Sequence, residues 1–256
     1  MMTVAAARRL RNGAACFVGI GLPSTAANLA RLTHAPQVCL IYESGTIGAK
    51  PSVLPLSIGD GELATSADTV VSTPEIFRYY LQGGRIDVGF LGAAQIDRFA
   101  NINTTVIGSY RKPKTRLPGA GGAPEIAALA GEVLIIMQQR ARSFVEQLDF
   151  VTSAGFLDGG DARRCAGLPG KGPTAVITDL CILEPDPVTR ELKVESIHPG
   201  VARATIEEAT GWPVRYFSHV RATEPPSSRE LSTLRELMRR TAAAHGSGEA
   251  SQASMT

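Results

Sequence analysis

Residues 14–48 read AACFVGIGLPSTAANLARLTHAPQVCLIYESGTIG, and the order of their apolar runs decides the fold. "AACFVGI" is short and apolar, the mark of a buried strand. Gly19 and Gly21 follow, and "STAANLARL" opens a helix with Ser24 as its expected N-cap. "QVCLIY" is a second apolar run. Strand, helix and strand in this order are the signature of a parallel sheet. The second run ends on one carboxylate, Glu43, followed by Ser44, Gly45 and then Gly48. A solvated loop acid and a carboxylate aimed into a cleft both fit that placement.

The rest of the chain continues the alternation. Val4 to Arg11 reads as a helix stopped near Gly13. From Gly45 to Asp68 glycine and proline are frequent and periodicity is weak, which predicts a long loop of the kind that usually serves function. "STPEIFRYYLQGG" predicts a helix with Thr73 as cap, Pro74 at N1 and Gly83–Gly84 as the stop. "IDVGFLG", "NINTTVIG", "EVLIIM" and "FVEQLDFVTSAGF" read as further strands. "TAVITDLCILEPDPVTRELKVESI" reads as a hairpin turning near Pro185 to Arg190, and "GWPVRYF" as a last short strand. "SSRELSTLRELMRRTAAA" is an amphipathic helix. Ser227 and Glu230 form its capping box, and Leu231, Leu234, Leu237 and Met238 its apolar stripe. The expected fold is α/β: a mostly parallel open sheet flanked by helices, one domain over 1–244, with a polar tail at 245–256 expected to be disordered.

Composition narrows the function classes. The chain of 256 residues is 44% hydrophobic and 20% charged, ordinary for a soluble globular protein. A net charge of +2 and 5% aromatics give no case for nucleic acid or an anionic membrane. No apolar run approaches the ~18 residues of a membrane span, and the N-terminus lacks the order of a signal peptide, so a cytoplasmic protein is expected. Cys16, Cys39 and Cys181 lie in apolar runs and Cys165 stands apart, with no CxxC spacing. His34, His198, His219 and His245 are equally scattered, and no metal site is expected.

Four stretches carry chemistry. "GIGLPS" (19–24) places two glycines between strand and helix, where backbone N–H groups approach anions. With Glu43 on the next strand it resembles a partial dinucleotide fingerprint, although Ser24 replaces the third glycine; a structural tight turn is the other reading. "YESGTIGAKP" offers Glu43 as general base, metal ligand or nucleophile. No companion ligand stands near it, and Gly45 and Gly48 would leave room for an acyl group. "LPGAGGAPEIA" (117–127) places Gly119, Gly121 and Gly122 before a helix, a loop that presents N–H donors to an oxyanion or phosphate. It lacks the GK[ST] ending of a nucleotide P-loop. "YRKPKTR" (110–116) is a run of basic residues, readable as a phosphate seat or a solvated loop.

Glu43 in "ESGTIGA", "YYLQGGRIDVGFLGAAQIDRFANINTTVIG", "RLPGAGGAPEIA" and "ESIHPG" together resemble the beta subunit of family I CoA-transferases, nearest the glutaconate and 3-oxoacid types, up to about Pro226. The resemblance implies a CoA-transferase-like domain acting on acyl-CoA, with coenzyme A as substrate and no tightly bound cofactor. It implies that Glu43 is the nucleophile and passes through a glutamyl-CoA thioester. Gly119, Gly121 and Gly122 are implied as oxyanion donors, and Gly19 and Gly21 as the second glycine turn. It also implies a homologous alpha subunit, in an alpha2beta2 or higher assembly, without which the chain is inactive. A thioester hydrolase or ring-cleaving hydrolase subunit of the same fold is the alternative, and a non-catalytic nucleotide-binding module a further one.

Overall fold

The computed structural model describes the backbone of residues 1–253 and the side chains of residues 1–246. Helix α1 (Met2–Ala7), strand β1 (Ala15–Val18), helix α2 (Leu22–Leu32) and strand β2 (Cys39–Tyr42) open the chain. β1 and β2 pair in parallel, with Cys16 opposite Leu40 and Val18 opposite Tyr42. The two faces of β1 are both buried. Cys16 and Val18 pack with α1 and α2 residues in one apolar cluster, and Phe17 points into a second cluster on the opposite face. Burial on both faces is why these strands are continuous apolar runs rather than alternating ones.

Three local expectations are corrected in this first half. The N-cap of α2 is Gly21, at φ +82, and Ser24 lies inside the helix, buried. Between Gly45 and Asp68 the chain is not one irregular loop. It forms β3 (Thr46–Ile47) and α3 (Gly61–Ser66), capped where Glu62 N–H donates to Asp60 Oδ1 at 3.0 Å, and then β4 (Thr69–Val70). Ser72, not Thr73, caps α4 (Thr73–Glu75): its N–H and its hydroxyl both donate to Glu75 Oε2 at 2.8 Å. α4 runs on as a π-helical segment, Ile76–Leu81.

β5 (Val88–Leu91) pairs in parallel with β1 on the side away from β2. The stretch 101–108 is not one strand of this sheet. β6 (Gln95–Ile96) pairs with β7 (Ile102–Asn103), and β8 (Val106–Gly108) with β9 (Pro113–Arg116), as two small separate ribbons. The break is local: Asn103 Oδ1 accepts the N–H of Thr105 at 2.9 Å, an Asx turn that competes with strand pairing. α5 (Ala123–Leu129) leads to β10 (Glu132–Ile136), which joins β5 in parallel. Residues 144–156 add only isolated bridges at Phe144 and Ser153, so they do not extend the sheet as expected. Instead Phe144 is buried and stacks on Trp212, ring centroids 5.7 Å apart.

After α6 (Ala162–Cys165), the expected hairpin is a meander of β11 (Pro173–Ile177), β12 (Cys181–Pro185) and β13 (Leu192–Ile197). The extra turn forms at Thr178, whose hydroxyl accepts from the N–H groups of Leu180 and Cys181. α7 (Arg203–Glu208) and β14 (Arg215–Ala222) complete a ten-stranded sheet in the order β14-β13-β12-β11-β10-β5-β1-β2-β3-β4. Its central strands β2, β1, β5, β10 and β11 are parallel.

α8 (Ser228–Ala253) packs on α2. Of its expected stripe, Leu237 is fully buried and Met238 is exposed. The helix continues through the start of the tail expected to be disordered at 245–256. Thr241 Oγ1 accepts the N–H of Leu54, and His245 Nε2 bonds the Leu54 carbonyl, which tethers the helix as far as His245. Residues 254–256 lie outside the described residues.

The start of α8 is clamped to α1. Ser227 N–H and hydroxyl donate to Glu230 Oε2, and Arg8 donates to both Glu230 oxygens at 2.7 Å. The Arg8 hydrogen bond holds the Glu230 carboxyl down at about 2, against an ordinary 4.5. A carboxyl with a lowered folded-state pKa stabilises above its ordinary value and loses that contribution as the pH falls through the folded value. Glu230→Gln is therefore expected to cost about 1–2 kcal/mol at neutral pH. Denaturant melts should show that gap closing as the pH falls from 4.5 toward about 2.

Candidate active site

Glu43 leaves the end of β2 on a tight turn. Tyr42 is fully buried, and its hydroxyl lies 3.0 Å from Ser24 Oγ and 3.4 Å from Asn28 Nδ2. Burial pushes its phenol above the ordinary value, so it stays neutral. Two residues beyond Glu43, Gly45 N–H donates back to the Tyr42 carbonyl at 3.0 Å, and the Gly45 carbonyl accepts from Val71 N–H at 3.0 Å. Gly45 has φ +106, and a Cβ there would collide with the Val71 carbonyl. Gly48 has φ +67, and its Cβ would collide with the Asp68 carboxylate. These glycines close the turn against the β4 segment and do not line the cavity, so the room for an acyl group lies elsewhere. Ser44 does not line it either, and its hydroxyl is buried without a partner among the described residues.

The half-buried Glu43 side chain enters a cavity of about 520 Å³. The cavity lies beyond the carboxyl ends of β1, β5 and β10, where Val18, Leu91 and Ile136 contribute to its wall. This is the switch point of the sheet, with β2 on one side of β1 and β5 on the other, the usual crevice for ligands in open α/β sheets. Its walls are apolar, from Phe17, Ile20, Phe90 and Ile126 among others, and Glu43 is the one charged residue among those lining it. Among the described residues its carboxylate has no hydrogen bond and no ion pair.

The glycine loop forms the facing wall, and its donors are not equivalent. Gly119 N–H donates to the Thr104 carbonyl at 2.9 Å, and Thr104 Oγ1 donates to the Gly119 carbonyl at 2.8 Å. Gly119 thus anchors the loop and has no free donor, which corrects its expected oxyanion role. Ala120, Gly121 and Gly122 have N–H groups without a partner among the described residues. Gly122 comes closest to the acid: a Cβ there would lie 3.1 Å from Glu43 Oε1 and 2.5 Å from Phe77 Cζ. Of the other glycine turn, Gly19 lines the cavity and Gly21 does not. The spacing that resembles a dinucleotide fingerprint is accounted for by the N-cap geometry of Gly21 and the Ser24–Tyr42 contact.

Other site features were beyond sequence reasoning. Thr104, which locks the loop, sits in an unremarkable "NTT". Arg163 is buried and donates to the carbonyls of Ala127 and Ala128 at the end of α5, and to those of Ala154, Gly155 and Gly170. Five carbonyls take the place of a carboxylate, and two of them close the end of α5, where the Ala128 carbonyl also accepts the Gly170 N–H at 3.3 Å. Its neighbour Arg164 is exposed and pairs with Asp161, and nothing in "DARRC" separates the two. Cys16 and Cys181 are buried, and burial pushes the Cys181 thiol up to about 12. His198 is buried between Thr223 and the Thr178 carbonyl, away from the cavity.

The turn is testable through its neighbours. Gly45→Ala should cost about 2 kcal/mol or more, because both the positive φ and the Val71 carbonyl oppose a methyl group. Ser44→Ala removes a buried hydroxyl that has no partner, so thermal melts should show its stability kept or raised.

Residues 1–209 match the coenzyme A transferase family. The chain is 70% identical to a 3-oxoadipate CoA-transferase subunit of Pseudomonas knackmussii, over 96% of this chain and 95% of that protein. It is 35% identical to a glutaconate CoA-transferase subunit of Acidaminococcus fermentans, over 92% and 90%. The crystal structure of the Acidaminococcus enzyme superposes with a TM-score of 0.86 over 92% of each chain, at 34% identity. Identity to the cholesterol ring-cleaving hydrolase IpdB subunit of Mycobacterium tuberculosis is 25%, over 85% and 84%. The chain belongs to the coenzyme A transferase family, as a chain of the beta-subunit type.

Proposed function

We propose that Glu43 is the nucleophile with which this CoA-transferase subunit moves CoA from an acyl-CoA to a carboxylate, and that the substrates are short 3-oxo dicarboxylic acids of the 3-oxoadipate class. The observation that carries the reading is a single unpaired carboxylate in an otherwise uncharged cavity, whose lining includes Gly121 and Gly122 with N–H groups that have no partner among the described residues. The substrate class follows the 70% identity to the Pseudomonas protein.

The chemistry closes on these groups without a net proton or water. The Glu43 carboxylate attacks the thioester carbonyl, and CoA leaves as thiolate, giving an acyl-glutamyl anhydride. The thiolate attacks the glutamyl carbonyl, expelling the first carboxylate and leaving a glutamyl-CoA thioester. An acceptor carboxylate attacks that thioester and expels the thiolate, and the thiolate then attacks the new acyl carbonyl and frees Glu43. Every addition puts negative charge on a carbonyl oxygen, and the Gly121 and Gly122 N–H groups are the preorganised donors for it. Apolar walls suit the sequence of steps, because water would hydrolyse both the anhydride and the thioester. The same walls favour transfer over thioester hydrolysis.

An alpha chain completes the enzyme in this reading, in an alpha2beta2 or higher assembly. The cavity rim is consistent with a partner surface. Ile58 in the lining is 41% exposed, and so is Leu22, next to the lining residue Pro23.

In the assembled pair, incubation with acyl-CoA followed by borohydride should inactivate the enzyme and mark the peptide containing Glu43. Glu43→Gln should lose turnover by several orders of magnitude; full turnover in that variant, with no modified Glu43 in the wild type, would sink the proposal. Gly122→Ala should lower kcat on the order of 10- to 100-fold by pushing Glu43 and Phe77 apart. Gly121 has open space around its Cβ position but φ +49, so alanine there should cost some stability while lowering kcat less than Gly122→Ala in the same assay.

A further inference from the structure

We infer that the β8–β9 hairpin is the seat of the phosphate groups of the CoA substrate, through Arg111, Lys112 and Lys114. The inference rests on the transferase reading proposed above and adds a binding element to it.

A CoA thioester has two chemically different ends. The acyl and thioester end fits an apolar cavity with one carboxylate. The nucleotide end carries a diphosphate and a further phosphate, and those charges have no place in the cavity, where the walls are apolar and the one charged group is negative. They need cations outside it, within reach of the pantetheine arm.

The hairpin stands on the cavity rim at both feet. Thr104, just before β8, and Leu117, just after β9, both line the cavity, and Leu117 N–H donates to the Thr105 carbonyl at 3.1 Å. Lys114 is three residues from Leu117, roughly 10 Å of extended chain. β9 is exposed along its whole length.

The charge on this arm is unbalanced. From Asp97 to Glu125 the chain has no acidic residue in between. Arginines elsewhere, among them Arg8, Arg9, Arg98 and Arg140, pair with carboxylates. Among the described residues, Arg111, Lys112 and Lys114 have no ion-pair partner. Asp149, beside the hairpin's contact residue Phe150, is already held by Gln95 Nε2 at 2.8 Å. Arg116 is engaged within the arm instead. It lies 4.6 Å from the Tyr110 ring centroid and donates to the Tyr110 carbonyl, while Tyr110 stacks on Phe150 at 5.5 Å. The turn of the arm is braced through Tyr110, while Arg111, Lys112 and Lys114 keep no ion-pair partner among the described residues.

The test uses the assembled enzyme carrying R111Q/K112Q/K114Q, assayed with a CoA thioester and with the matching pantetheine thioester, which lacks the phosphates. KM for the CoA ester should rise about tenfold or more, the size of one charge-assisted contact, and its salt dependence should flatten. The pantetheine ester should be turned over as by the wild type. An unchanged KM for the CoA ester, an equal loss on both esters, or loss of co-purification with the partner chain would each overturn the inference. Wild-type enzyme that turns over neither ester would refute the transferase reading itself, and the inference would fall with it.

Discussion

The site depends on one constraint, the parallel pairing of β1 with β2 on one side and β5 on the other. The chain must leave β1 in one direction and return to it from the other, so the crossovers diverge and a crevice opens beyond the strand ends. Everything with chemical meaning is delivered to that crevice. The β2 end supplies Glu43, the β1–α2 turn supplies Gly19, and the segment before α5 supplies Gly121 and Gly122. Shift β2 by one residue and Tyr42 would lose Ser24 and Asn28, while the carboxylate would turn to the other face of the sheet. The buried Tyr42 hydroxyl is therefore part of the aiming of Glu43, although it touches nothing in the cavity.

Much of this was legible in the residues, because it rests on local pattern. The strand-helix-strand order of 14–42, the acid at the strand end and the glycine loop before a helix each declare themselves within a few residues. What was not legible depends on partners distant in the chain. Gly45 and Gly48 looked like space for a substrate, but they are small because Val71 and Asp68 press on them. Gly119 looked like an oxyanion donor, but Thr104 takes its N–H. Gly122 has an ordinary backbone angle, so its need for glycine comes from Phe77 and Glu43 rather than from its own φ. Ser24 had the composition of an N-cap, and a tertiary contact to Tyr42 overrode that preference.

Arg163 shows the same principle at longer range. The glycine loop is held at two points, by Thr104 at its start and through α5 at its far end. Arg163 satisfies the carbonyls that close α5 and ties them to residues 154–170. A cation surrounded by carbonyls resists displacement, since each of its N–H groups would otherwise be buried without an acceptor. The glycine loop facing Glu43 is thus held by Thr104 at the cavity wall and by Arg163 outside it.

That division of labour explains why the cavity has so little in it. Acyl transfer by the anhydride route requires a nucleophile, oxyanion donors and the exclusion of water, and none of these calls for a metal, a general base or a second charge. Added polar groups would stabilise the ground-state carboxylate and lower its reactivity. In the proposed mechanism a lone, half-buried glutamate suffices if the substrate is positioned by contacts elsewhere. The binding energy for that positioning must then come from the remote part of the substrate. An apolar interior joined to a rim-mounted cationic arm is the arrangement such a split predicts.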